Sequence, residues 1–110
     1  MKMETRKEAG LRVVSLAGDV DLQHSPTLRK ELLVVVAEGL PVIVDLGGVS
    51  YIDSSGVASL VEAFQAARKK QIPFSLAGLS ASVQRVMQLA RLDRVFTIHA
   101  NLDEALKRNQ

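Results

Sequence analysis

The chain has 110 residues, 47% of them apolar and 24% charged, with no cysteine and a formal net charge of +2. That is enough for one domain with one core and too little for two; it excludes a wholly disordered chain, disulfides, thiolate metal sites and a cysteine nucleophile. With 14 basic against 12 acidic residues, and Tyr51, Phe64, Phe74 and Phe96 as its only aromatic side chains, the chain is not expected to bind nucleic acid.

Lys2 to Lys7 reads as a short polar edge strand, and Ala9-Gly10 as a turn leading into a second strand from Leu11 to Ala17. Gly18-Asp19-Val20-Asp21 then leaves that strand as a loop. Ser25 and Pro26 suit the cap and first position of a helix that runs to about Glu38 and stops at Gly39. Leu28, Leu32 and Val35 share one face of it.

Pro41 precedes Val42-Ile43-Val44-Asp45-Leu46, a near-continuous apolar run that suits a central strand buried on both faces. Gly47-Gly48 and Val49 to Asp53 follow. A second helix starts near Ser54 or Ser55, and Val57, Leu60, Val61 and Phe64 fall at i, i+3, i+4 and i+7. It ends near Lys70, where Arg68-Lys69-Lys70 complements the helix dipole.

Phe74 to Ala77 is a further strand closed by Gly78; Ser80 or Ser82 caps a third helix carrying Val83, Val86, Met87 and Ala90. Val95 to Ile98 is read as the last strand. Asn101 and Glu104 resemble a capping box that opens a short helix with Leu102, Ala105 and Leu106. The order β-β-α-β-α-β-α-β-α predicts an α/β fold: a mixed sheet, parallel at its centre, with helices packed against it. One domain is expected over residues 1–110. The charged start Met1-Lys2-Met3-Glu4-Thr5-Arg6 does not suit a signal peptide, and the longest apolar stretch, around Leu32 to Ala37, is far short of a membrane span, so a cytoplasmic location without membrane insertion is expected.

The most informative stretch is Tyr51-Ile52-Asp53-Ser54-Ser55-Gly56, where a carboxylate and two hydroxyls meet a strand-to-helix junction. The first amides of a helix lack partners within the helix, and Asp53, Ser54 and Ser55 are all good acceptors for them. Gly56 suits a close backbone crossing or a local turn. A hydroxyl at this position is exposed beside the positive end of a helix, where a phosphate is tolerated. Loops at the C-terminal ends of parallel strands gather on one side of a sheet, which brings Asp21 toward Asp53 and Ser54. Both aspartates equally suit ordinary Asx turns.

Leu16-Ala17-Gly18-Asp19-Val20-Asp21, Val42-Ile43-Val44-Asp45-Leu46, Tyr51-Ile52-Asp53-Ser54-Ser55-Gly56 and Val95-Phe96 together resemble the STAS domain, the family of bacterial anti-sigma factor antagonists and of the cytoplasmic tails of sulfate transporters. The resemblance spans nearly the whole chain. It implies that Ser54 is phosphorylated by an anti-sigma factor with serine kinase activity, that a phosphatase resets the cycle, and that only the unphosphorylated chain binds that kinase and thereby frees a sigma factor. The partner-binding residues it implies are Asp21, Asp53, Ser54, Ser55, Gly56, Val57, Ser59 and Leu60. A second role in the same family is to brace the ATPase of a bacterial phospholipid-transport ABC complex. The apolar and small face of the second helix, Val57, Ala58, Leu60 and Val61, suits docking to either partner.

An enzyme is not expected. There is no Gly-x-Ser-x-Gly elbow around Ser54, and His24 and His99 stand apart in sequence without an orienting third group. Two histidines without His-x-x-x-His spacing make a poor metal site, and Gly47-Gly48 lacks the lysine of a P-loop, so neither metal nor cofactor is expected.

Overall fold

The computed structural model describes residues 1–108. Strands β1 (Lys2–Glu8) and β2 (Leu11–Val20) lead into helix α1 (Ser25–Ala37) and strand β3 (Val42–Ile52). Helix α2 (Ser54–Lys69), strand β4 (Phe74–Ala77), helix α3 (Ala81–Leu89), strand β5 (Thr97–His99) and helix α4 (Leu102–Arg108) complete the chain, with a 3-10 turn at Leu92–Arg94 before β5. The five strands lie side by side in chain order. β1 is antiparallel to β2, and every other pair is parallel. This is the mixed sheet with a parallel centre expected from the alternation of elements.

Each parallel crossover advances one strand in the same direction, which puts α1, α2 and α3 on one face of the sheet. Val14, Leu16, Val44, Leu46 and Leu76 point to that face, against Leu28 and Leu32 of α1, Leu60 and Ala63 of α2 and Val83 and Met87 of α3. The alternate strand residues Leu11, Val13, Ile43 and Ala77 point to the other face, where Ala105, with Leu102 and Leu106, covers them from α4. β2 and β3 are therefore apolar on both faces at their centres. Phe64 packs edge-on to Phe96, with ring centroids 5.1 Å apart.

Three local expectations are corrected. β2 continues to Val20 and β3 runs unbroken through Gly47-Gly48 to Ile52, because the pair absorbs its glycines as register shifts near Ala17 and Gly18. Ser25 is the first residue of α1 rather than its cap; His24 holds that place, and no side chain caps it. The last strand begins at Thr97, since Val95 closes the 3-10 turn. Ala9 and Gly10 both take positive φ, 54° and 80°, which makes the tight β1–β2 hairpin.

The long β2–β3 pair reaches past the end of β4, so its final residues, Val20 and Ile52, deliver the following loop and helix to one end of the sheet. Among the described residues, no helix is long and apolar enough to cross a membrane.

Candidate functional site

The site is built where β2 and β3 end. The Asp53 amide donates to the Val20 carbonyl at 3.1 Å, closing the strand pair. Asp53 itself is extended and is the N-cap of α2. Its Oδ1 accepts from the amides of Ser55 at 3.0 Å and Gly56 at 3.1 Å, and from the Ser55 hydroxyl. Its carbonyl accepts from the Val57 amide at 3.0 Å. Its Oδ2 reaches across to the β2–α1 loop and accepts from the Leu22 amide at 3.1 Å. One carboxylate therefore caps α2 and ties down the neighbouring loop.

Asp21 organises the other side. Its carbonyl accepts from the amides of His24 at 3.1 Å and Ser25 at 2.8 Å. Its Oδ1 accepts from the His24 amide at 3.2 Å and lies 2.6 Å from His24 Nδ1. An ionised carboxylate only accepts, so Nδ1 carries the proton of that bond. Asp21 thus makes the Asx turn that starts α1. Burial pushes the Asp21 carboxyl up most, but its bonds to His24 and the His24 charge together outweigh this and hold it below the usual carboxylate value. The Asp53 charge pushes it up as well, so the two carboxylates are near enough to feel each other. Asp53 is also held low, by the Ser55 hydroxyl first, then the Gly56 amide, against burial, with the Leu22 and Ser55 amides adding to the effect. Both groups are ionised at neutral pH.

Ser54, the first residue of α2, is exposed. Its hydroxyl takes no part in the cap and has no hydrogen-bond partner among the described residues. The Ser55 hydroxyl, by contrast, is engaged by Asp53. The sequence-predicted group Asp21, Asp53, Ser54 and Ser55 is thus brought together at one end of the sheet.

Of the remaining expected contact residues, Gly56, Val57, Ser59 and Leu60 are all buried within the fold rather than spread over its surface. Gly56 lies where α2 crosses the ends of β2 and β3; a Cβ there falls 2.7 Å from the Val20 carbonyl oxygen. Val57 and Leu60 belong to the main core. The Ser59 hydroxyl bonds to the carbonyls of Ser25 and Ser55, both at 3.1 Å, and clasps α1 to α2. On that stretch of α2 the exposed residue is Ala58.

Sequence reasoning missed Leu22, which is exposed in the loop beside Asp53. Its only signal was an apolar residue in an otherwise polar loop. Among the described residues no group of three or more His, Asp or Glu side chains is arranged to hold a metal ion.

A family model described as the STAS domain matches residues 2–105. An anti-sigma-B factor antagonist of Listeria monocytogenes is 34% identical over 86 residues, which cover 77% of this chain and 75% of that protein. The anti-sigma-B factor antagonist of Bacillus subtilis is 30% identical over 87 residues, covering 79% and 80%. The crystal structure of an anti-sigma factor antagonist from Mycobacterium paratuberculosis matches with a TM-score of 0.91 at 27% identity, covering 98% of this chain and 92% of that one. With the family pattern running through β1 to α4 and its Asp-Ser-Ser-Gly block set at the start of α2, the chain belongs to the STAS domain family.

Proposed function

We propose that this chain is a protein-binding switch of the anti-sigma factor antagonist type, acting in the cytoplasm, with Ser54 as its phosphoacceptor. The carrying observation is the exposed Ser54 hydroxyl, without a hydrogen-bond partner among the described residues, at the start of a helix whose cap is already supplied by Asp53. Modification of Ser54 leaves the capping bonds in place, so the fold survives while the surface changes. The names of the relatives support an anti-sigma factor as the partner.

In this reading the partner is also the kinase. The Ser54 oxygen attacks the γ-phosphorus of ATP, the hydroxyl proton is lost, ADP leaves, and a phosphatase later restores the hydroxyl by hydrolysis. The chain is a substrate and a ligand in this cycle, not an enzyme. Phosphate adds about −1.5 to −2 charges at neutral pH. It does so beside Asp53 and close to Asp21, both already ionised. In free solution water screens this crowding; inside an interface it costs desolvation and repulsion, so the partner is released.

The test is to incubate the chain with the anti-sigma factor of its host and ATP, then map the product by mass spectrometry. Phosphate on Ser54, absent from Ser54→Ala, is expected. Phosphate on Ser55 overturns the assignment, and no phosphate together with co-purification of an ABC ATPase replaces it with the transport role.

A further inference from the structure

Five large apolar side chains stand exposed among the described residues: Leu22, Val34, Tyr51, Leu89 and Val95. Scattered exposed apolar residues are ordinary on protein surfaces. Leu22 differs in how its backbone is held. Its amide donates to Asp53 Oδ2 at 3.1 Å, and its carbonyl accepts from the Ser25 hydroxyl at 3.4 Å. The residue before it, Asp21, is fixed by the turn that starts α1. Leu22 is thus pinned between the starts of α1 and α2, while 73% of its surface faces water.

We propose that Leu22 is an apolar docking anchor for the same partner that engages Ser54, which presents an apolar pocket beside the surface that meets the serine. The proposal rests on the reading of Ser54 as the partner-facing switch. Two connections support it. The Leu22 amide is bonded to the carboxylate that directly precedes Ser54, which sets both residues at the same end of the sheet, within the footprint of a partner that covers the serine. Its backbone is also held in place before binding, so the loop that carries the side chain need not be ordered on association. The two residues divide the work: Ser54 sets whether the partner binds, and Leu22 contributes affinity and selects partners with a matching pocket.

Full burial of a leucine side chain corresponds to roughly a tenfold to hundredfold gain in affinity. The test uses the unphosphorylated chain and the purified anti-sigma factor of its host, titrated by calorimetry. Leu22→Ala is expected to weaken binding at least tenfold, and Leu22→Met to retain most of it. Val34→Ala, which removes an exposed apolar side chain from the body of α1, is expected to bind like the wild type. The thermal midpoint of Leu22→Ala is expected to match the wild type, because the bond to Asp53 uses the backbone. If Leu22→Ala binds as tightly as Val34→Ala while Ser54→Asp weakens binding, the anchor is refuted and the switch stands. If Ser54→Asp also leaves binding unchanged, the switch itself is refuted and the anchor with it.

Discussion

Replacing Gly56 with alanine sets two effects of opposite sign against each other. Alanine is favoured over glycine in a helix by up to about 1 kcal/mol, so propensity alone predicts a more stable protein. At Gly56, however, the added Cβ falls 2.7 Å from the Val20 carbonyl oxygen and 2.8 Å from both Ile52 Cγ1 and Val20 Cγ1. None of these atoms can yield cheaply: one is backbone, and Val20 and Ile52 are buried in the core. Overpacking of this kind costs about 1–3 kcal/mol, and three close contacts put it at the upper end. The net loss is therefore about 2 kcal/mol, or roughly 8 °C in thermal midpoint for a chain of this size. Urea unfolding followed by circular dichroism measures it. A variant as stable as the wild type, or more so, refutes the claim that α2 is seated against β2 and β3 at this point.

The carboxylates give a second prediction. Asp21 and Asp53 titrate below the usual 3.8 in the folded chain, so the unfolded chain takes up their protons first as pH falls. Their contribution to stability is complete above that value and is lost as pH drops through it toward the folded values. Asp53→Asn, which does not titrate, is expected to be less stable at neutral pH and to lose less stability on acidification; urea midpoints that decline in parallel for both proteins contradict this. Ser59→Ala removes the clasp between α1 and α2 at a cost of about 1 kcal/mol, seen as a drop of roughly 4 °C by calorimetry. An unchanged midpoint means that the bonds from Ser59 to Ser25 and Ser55 contribute nothing net. Ser80→Ala is expected to lower stability by about 1 kcal/mol through loss of the α3 cap, and an unchanged urea midpoint contradicts that role.

The sheet and its helices were legible because each crossover carries a local signal. Val57, Leu60, Val61 and Phe64 marked α2 by spacing, and the apolar run Val42 to Leu46 marked a strand buried on both faces. Strand ends were less legible. Gly18 and Gly47-Gly48 read as breaks, yet the β2–β3 pairing carries both strands past them, and a side chain at Gly48 would strike the Cβ of Ala17 at 2.9 Å. That constraint is long-range and leaves no local mark. Ser25 read as a cap for a different reason: the turn that starts α1 is made by Asp21, three residues before His24, and Ser25-Pro26 carried the more familiar cap pattern.

At the site, a side-chain cap at the start of α2 was legible because capping involves neighbours in sequence, but which of Asp53, Ser54 and Ser55 supplies it was not; the structure gives it to Asp53. The burial of Gly56, Val57, Ser59 and Leu60 was not, because an apolar stripe has the same pattern whether the core or a partner covers it. Leu22 was overlooked because nothing in its sequence neighbourhood reveals a hydrogen bond to a residue 31 positions away.

The central claim concerns a charge placed on one open hydroxyl. Calorimetric titration of the host anti-sigma factor with the chain carrying phosphate on Ser54, and with the same chain after phosphatase treatment, tests it most directly. The account predicts tight binding by the dephosphorylated form and about a hundredfold weaker binding by the phosphorylated one, equivalent to about 3 kcal/mol. It predicts the same circular dichroism spectrum for both. Equal affinities, or a phosphorylated form that unfolds, would contradict it.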